Sequence, residues 1–324
     1  MEKFGKSQPV KRVEDVRFLV GKGRYVDDIA PADALSAFFF RSPGAHAVIA
    51  ELDVDDAREA EGVHAVLTCA DLEAAGMNLE MAAVLVKNRD GSQGAATSRT
   101  MLAKDRLRFV GEPIVAVIAD TLAQARDAAE LIVLDYDELP AKMDLKAGGE
   151  TLHETAPDNV AFDWGMGDEA ATNAAFEKAA HVVSLDVGDN RIIVNSMEPR
   201  GCYSYWEDDR LHVAINGQGV WVNKTLMTAA FGLEPDDVHV TNPDTGGGFG
   251  MKGMGYPEPF SVAQAARVLG RPVRWMSERT EAMLSDNAGR DLTSLAELAF
   301  DENHKIIAYR VHSDINLGAY NSQF

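Results

Sequence analysis

The chain has 324 residues, 46% of them hydrophobic and 25% charged, the balance of a soluble globular protein with length for two domains. Its 31 basic and 51 acidic residues give a net charge of −20, which speaks against a nucleic-acid or anionic-membrane partner, because the only basic cluster is a thin one at Lys3, Lys6, Lys11 and Arg12. It has neither an apolar run of membrane length nor the apolar core of a signal peptide, and its two cysteines, Cys69 and Cys202, suit a reducing cytoplasm and exclude a disulfide scaffold or a self-contained iron–sulfur site.

The first third alternates strand and helix patterns. Residues 37–41 and 46–52 read as strands on either side of a Ser42-Pro43-Gly44 turn, 55–61 as a short helix closed by Gly62, and 63–68 as a strand. A polar loop near 88–98 follows, then extended segments at 107–109 and 113–119. Asp120 is placed to cap an alanine-rich helix running to 131, and a strand at 132–136 stops before Pro140. These elements predict an α/β domain over 1–141, and the irregular stretch 142–164, with Gly148, Gly149 and Pro157, reads as a connector.

A second domain is expected over 165–324. Asp168 caps an alanine-rich helix to 180, followed by a strand at 181–187 and paired strands at 201–206 and 211–216 around Glu207-Asp208-Asp209. A helix over 219–231 ends at Gly232, and a strand at 238–241 runs into a glycine-rich loop. Then come a helix over 259–269 stopped by Gly270, a strand at 273–276, and a hairpin of 295–300 with 306–316 around Asp301-Glu302-Asn303. The fold class is therefore α/β (α+β). The chain stops at Asn321-Ser322-Gln323-Phe324, straight after an apolar strand and without the polar fade of a domain end.

The loop Thr245-Gly246-Gly247-Gly248-Phe249-Gly250-Met251-Lys252, with Gly253 and Gly255 just beyond it, is the densest chemical signal. So many glycines cannot form the interior of a helix or strand. They imply positive φ or an approach with no side chain between, and free amides followed by a lysine suit an anionic group; the bland alternative is a long flexible turn. Gly5-Lys6-Ser7 resembles the end of a phosphate-binding loop but lacks the first glycine, and Gly253 stands where such a loop after Lys252 needs Ser or Thr. Gly217-Gln218-Gly219-Val220-Trp221-Val222 is a partial dinucleotide fingerprint with Val222 in place of the third glycine. The eight histidines include no HExxH pair, which argues against a zinc hydrolase. Glu198 in Met197-Glu198-Pro199-Arg200-Gly201 is either chemically active or a buried structural partner of Arg200.

Taken in order, Gly23-Arg24-Tyr25-Val26-Asp27-Asp28, Arg41-Ser42-Pro43-Gly44-Ala45-His46-Ala47, Val110-Gly111-Glu112-Pro113, Asp135-Tyr136-Asp137-Glu138-Leu139-Pro140, Met197-Glu198-Pro199-Arg200-Gly201, Gln218 and the 246–252 loop form a specific series. Over nearly all its length the chain resembles the molybdopterin-binding large subunit of the xanthine dehydrogenase, aldehyde oxidase and carbon monoxide dehydrogenase family, in particular the bacterial carbon monoxide dehydrogenase-like branch. The resemblance implies a hammerhead-like α/β domain over 1–141 followed by the N-terminal portion of the molybdopterin-binding domain over 165–324. It implies a molybdenum–molybdopterin cofactor in its cytosine dinucleotide form. Gly247, Gly248, Phe249 and Gly250 would pass along that cofactor, with Phe249 and Gly250 facing the metal, and Gln218 would hydrogen-bond an apical ligand. No protein atom would ligate the metal, which the dithiolene sulfurs of the pterin hold.

The implied reaction is oxidation of a small molecule (an aldehyde, an N-heterocycle or carbon monoxide) with oxygen drawn from water. Electrons would leave through a [2Fe-2S] subunit and an FAD subunit, in the cytoplasm. Gly253 occupies the place of a substrate-positioning glutamate in purine-oxidising members, which disfavours purines. Family large subunits continue well past the point matching Phe324, and that further part carries the general-base glutamate, so no catalytic residue is assigned in this chain. The expectation is a split subunit, inactive alone and completed by a polypeptide carrying the C-terminal molybdopterin portion. The alternatives are a truncated or degenerate relative serving in binding or assembly and, more distantly, a nucleotide-binding protein.

Overall fold

The computed structural model describes residues 11–81 and 86–321; Lys3, Lys6, the Gly5-Lys6-Ser7 sequence and residues 322–324 lie outside the described residues. In chain order it contains α1 (Asp15–Leu19), β1 (Leu35–Arg41), β2 (Ala47–Asp53), α2 (Asp55–Glu59), β3 (Val63–Leu67), α3 (Cys69–Ala74), the short β4 (Glu80–Met81), β5 (Arg99–Thr100) and β6 (Arg106–Leu107), then β7 (Pro113–Ala119), α4 (Leu122–Ala129) and β8 (Val133–Glu138). Beyond residue 164 follow α5 (Glu169–Glu177), β9 (His181–Asp189), β10 (Gly201–Glu207), β11 (Arg210–Ile215), α6 (Trp221–Phe231), β12 (Val238–Thr241), α7 (Glu258–Leu269), β13 (Val273–Met276), α8 (Arg279–Ser285), β14 (Leu292–Phe300) and β15 (Ile306–Ile315). Among the described residues no helix is long and apolar enough to cross a membrane.

A seven-stranded mixed sheet, ordered β12-β11-β10-β13-β1-β7-β3, draws strands from both sides of residues 142–164. β1 is the seam: it runs parallel to β13, with Leu35 opposite Val273, and antiparallel to β7, with Ala37 opposite Ile118. β7 is apolar at every position because both of its faces are covered. Ala116 and Ile118 join a core with Phe39, Phe260 of α7 and Trp275, where the Phe39 and Trp275 rings meet edge-to-face at 5.6 Å. Val115 and Val117 enter a second core with Ala125, Ala128 and Ala129 of α4, backed by Leu52 and Tyr136 of a separate β6-β2-β8 sheet. A third sheet, β15-β14-β9, carries α5 on one face, where Arg310 lies over the Phe176 ring at 4.1 Å.

Several expectations change. The strands flanking Ser42-Pro43-Gly44 enter different sheets: Ser42 Oγ donates to the Gly44 carbonyl and turns the chain out of the large sheet toward β6 and β8. The cap of α4 is Thr121, whose Oγ1 accepts from Gln124 N at 3.2 Å, and the Asp120 carboxylate instead holds His64 Nε2 at 2.8 Å. Asp168 caps α5 as expected, accepting from Ala171 N at 2.9 Å. The α5 helix ends three residues early, because Ala180 N donates to Phe300 O and joins the sheet. Three short helices, α1, α3 and α8, had no counterpart in the sequence reading.

Beneath the large sheet's end sits a buried ionic cluster. Glu258, the first residue of α7, accepts from Arg200 Nη1 at 2.7 Å and from Arg41 Nη2 at 3.0 Å; Arg200 Nε also donates to Asp286 at 2.6 Å, and Arg41 Nε to Glu281 at 2.9 Å. Burial alone would push the Glu258 carboxyl up, but Arg200 and Arg41 together outweigh it and hold the group well below the usual carboxylate range. Because the unfolded chain then binds its proton first, this contribution to stability is complete above the ordinary carboxyl value of 4.5 and is lost as pH falls toward the folded-state value. Melting temperatures followed by circular dichroism are therefore expected to drop steeply below about pH 4.5. A melting temperature unchanged from neutrality down to about pH 3 would contradict this reading of the cluster.

Candidate functional site

The parallel strands β11 and β12 end side by side, so the segments that follow them, 216–218 and 242–252, emerge at one edge of the sheet. Side chains then bind these segments together. Asn242 Oδ1 accepts from Gly217 N at 2.8 Å, Thr245 Oγ1 donates to Gly217 O at 3.3 Å, and Gln218 N donates to Lys252 O at 3.1 Å. The third contributor is residues 195–200 ahead of β10, fastened by Arg279, which donates to the carbonyls of Ser196 and Met197 at 2.6 and 2.9 Å.

The glycine loop is tethered at three points. Glu198 Oε2 accepts from Gly246 N at 2.7 Å and from Lys252 Nζ at 3.1 Å, so one carboxylate ties both ends. Gln218 Oε1 accepts from Gly250 N at 2.8 Å. A Cβ on Gly248 would lie 2.6 Å from Gln218 Cδ, and one on Gly246 would lie 2.5 Å from Glu198 Cβ, distances no real side chain keeps. Glycine is thus required at these two positions by close approach. At the tip Phe249 adopts φ 55°, a left-handed conformation costing a phenylalanine about 1–2 kcal/mol, and its ring is 76% exposed. Among the described residues the amides of Gly247, Gly248 and Phe249 have no hydrogen-bond partner.

This geometry corrects two readings and decides a third. The loop is no free flexible turn. Lys252 is not presented with the free amides as an anion clamp: it is buried, burial pushes its ammonium pKa down, and Glu198 beside it opposes that shift. Glu198 pairs with Lys252 and not with Arg200, whose carboxylates are Glu258 and Asp286. The other oxygen of Glu198, Oε1, is buried without a partner. Both cysteines are buried, and burial raises the Cys69 thiol to about 11 and Cys202 further still, so neither is poised as a thiolate. Among the described residues no three His, Cys, Asp or Glu side chains are grouped to hold a metal ion.

The predicted residues Gln218, Gly247, Gly248, Phe249 and Gly250 are thus brought into one constellation. Sequence reasoning missed the Glu198–Lys252 tie and the roles of Asn216 and Asn242. Asn216 Nδ2 donates to Pro199 O at 2.7 Å and its Oδ1 accepts from Gly201 N at 2.8 Å, which anchors the Glu198 segment to the end of β11. Asparagines just past apolar strands were the available signal.

Comparison with known proteins gives this constellation a family. A molybdopterin cofactor-binding domain model matches residues 152–324, and an aldehyde oxidase and xanthine dehydrogenase a/b hammerhead domain model matches residues 20–140. The chain is 35% identical to the nicotine 6-hydroxylase large subunit of Paenarthrobacter nicotinovorans over 96% of its own length and 38% of that protein's. It is 33% identical to the carbon monoxide dehydrogenase large chain of Afipia carboxidovorans over 96% of its own length and 39% of the other. The solved carbon monoxide dehydrogenase from Oligotropha carboxidovorans superposes with a TM-score of 0.84 at 33% identity, covering 94% of this chain and 39% of that one. The chain therefore spans less than two fifths of the length of these relatives. With both models matched in order and Gln218 and the 246–252 loop inside the second, the chain belongs to the aldehyde oxidase and xanthine dehydrogenase family and carries its molybdopterin cofactor-binding domain.

Proposed function

We propose that this chain forms one wall of the active site of a molybdenum hydroxylase that oxidises an aldehyde, an N-heterocycle or carbon monoxide with oxygen from water. The observation that carries the reading is the tethered glycine loop, which holds three unpartnered amides, an exposed phenylalanine ring and a glutamine amide together. Those groups fit a pterin cofactor: acceptors on the cofactor meet free N–H groups, and no side chain on Gly247 or Gly248 blocks the approach. Gln218, Gly247, Gly248, Phe249 and Gly250 would hold it, in its cytosine dinucleotide form. When bound, the molybdenum cofactor supplies the two-electron oxidation.

The chain's own part is positioning. Because Gln218 Oε1 is engaged by Gly250 N, the Nε2 amide is the end left to donate toward the cofactor. Phe249 walls the site and excludes water, and the Glu198–Lys252 tie keeps the loop from splaying. Gly253, small and uncharged, offers nothing to a purine. In this reading residues 1–141 form the hammerhead domain and residues 165–324 one portion of the molybdopterin domain. The opposite wall with the general base belongs to the stretch that corresponds to the remaining three fifths of the relatives' length, and [2Fe-2S] and FAD subunits carry electrons away. The assembly works in the cytoplasm, and this chain is inactive alone.

Purification through a tag on this chain from a molybdenum-replete host tests the reading. Molybdenum and pterin are expected to come with it, together with the sequence that corresponds to the rest of the relatives' cofactor domain. A stable, metal-free monomer would contradict it.

A further inference from the structure

The outer face of the large sheet carries a pair of histidines that the molybdopterin reading leaves unused. β11 and β12 run parallel, with His212 opposite His239. Val238 and Val240 turn into the core, so His239 turns outward, and its Nδ1 stands 3.3 Å from the Nδ1 of His212. Tyr205, opposite His212 on β10, stacks its ring on the His212 imidazole at 4.6 Å with 4° between the planes, which fixes that ring's orientation. The His239 ring crosses it at 79°. Burial and the neighbouring His239 push the His212 pKa below its ordinary value, so the ring keeps a free lone pair at neutral pH. The approach to the pair is acidic. Glu207, Asp208 and Asp209 precede His212 and Asp236 and Asp237 precede His239, with Arg210 the only basic residue in 207–211 and 235–238.

We infer that His212 and His239 form a binding site for a divalent transition ion, Zn²⁺ or Cu²⁺, held through both Nδ1 atoms with solvent completing its coordination. Two nitrogens bonded to one tetrahedral ion at about 2.0–2.1 Å stand about 3.3 Å apart, and that separation is already present. Imidazole suits these ions, whereas magnesium and calcium take oxygen ligands. In the ion-free chain one Nδ1–H donates to the other Nδ1; on binding, that ring takes its Nε2–H tautomer and both rings stay neutral. Two protein ligands hold an exchangeable ion, and the surrounding carboxylates concentrate cations at the pair. The site needs no molybdenum cofactor. Its consequence is mechanical: β12 is a short strand at the sheet's edge, paired with β11, and an ion across the two clips it just ahead of Asn242, where the segment bearing the glycine loop begins.

The test is a calorimetric titration of the full chain with Zn²⁺ after dialysis against a chelator. The wild type is expected to bind a single Zn²⁺, with an affinity that falls at least about 10-fold in His212→Gln and in His239→Gln alike. His64→Gln, which removes a histidine paired with Asp120 elsewhere on the surface, should leave the affinity unchanged. Electron paramagnetic resonance of the Cu²⁺-loaded wild type gives a readout that needs no variant: coupling to two imidazole nitrogens is expected. With zinc bound, the amides of residues 238–241 should exchange at least about 10-fold more slowly than in the ion-free chain. Zinc affinity unchanged in either variant, an equal fall in His64→Gln, or a Cu²⁺ signal without nitrogen coupling overturns the site. Unchanged exchange at 238–241 with zinc bound overturns the clip.

Discussion

Replacing Glu258 with alanine is expected to destabilise the fold by about 3–5 kcal/mol. Its carboxylate is fully buried and is the shared acceptor of two buried guanidinium groups, Arg200 by two bonds of 2.7 and 3.1 Å and Arg41 by one of 3.0 Å. Each guanidinium also has a carboxylate of its own, Asp286 for Arg200 and Glu281 for Arg41, but Glu258 is the one that bridges the two. Removing this member of the buried ionic group strips three charge-assisted hydrogen bonds from two buried guanidinium groups and costs about 3–5 kcal/mol, a large share of the roughly 5–15 kcal/mol that holds a domain together. The location adds to the effect, since Arg41 ends β1, Arg200 precedes β10 and Glu258 opens α7, so the cluster joins elements on both sides of residues 142–164. Glu258→Gln keeps the shape but not the charge and is expected to be nearly as damaging. Glu297→Ala, which breaks the exposed pair with Arg310, is expected to cost about 0–1 kcal/mol. Urea denaturation reads both, and a Glu258→Ala chain within about 1 kcal/mol of wild type would refute this role for the cluster.

Gly248→Ala is expected to separate the site from the fold. The added methyl would fall 2.6 Å from Gln218 Cδ, and the Gln218 side chain cannot simply move aside without giving up its bond to Gly250 N. The methyl is at the loop's outer turn and not in the sheet core, so the melting temperature should change little. The Gln218 amide and the Phe249 tip should be displaced together. Groups that orient a metal cofactor from outside its ligand set typically matter about 10–100-fold, and molybdenum retained per chain in the purified complex is expected to fall by about that factor. Wild-type molybdenum content in a folded Gly248→Ala complex would show that the approach of Gly248 to Gln218 is incidental.

What could be read from the residues alone follows from how local each signal is. The β7 strand declared itself as an unbroken apolar run, and α5 by its Asp168 cap, because both signals lie within a few residues. The pairing of β1 with β13 spans most of the chain and leaves no local mark, which is why a seven-stranded sheet uniting both halves was not foreseen. The α3 helix was legible in principle, since Thr68 and Asp71 form a capping box, but its six residues are too few for a periodic pattern. At the site, composition pointed to the loop at 246–252, because glycine runs have few uses, whereas Gln218 was singled out only by the family resemblance. The partner of Glu198 was misjudged because Arg200 is two residues away in sequence, whereas Lys252 lies 54 residues away and only the fold brings it near. Both residues lie ahead of β10, where no strand alternation fixes their directions: Arg200 reaches Glu258 and Glu198 reaches the loop.

The most direct test of the central claim is an anomalous-scattering map recorded at the molybdenum edge from crystals of the complex purified through this chain. The expected result is a single strong peak beside the Phe249 ring and the Gln218 amide, with the 246–252 loop still tied by Glu198 to Lys252. A molybdenum peak remote from that loop, or a complex of this chain that binds no molybdenum at all, would contradict it.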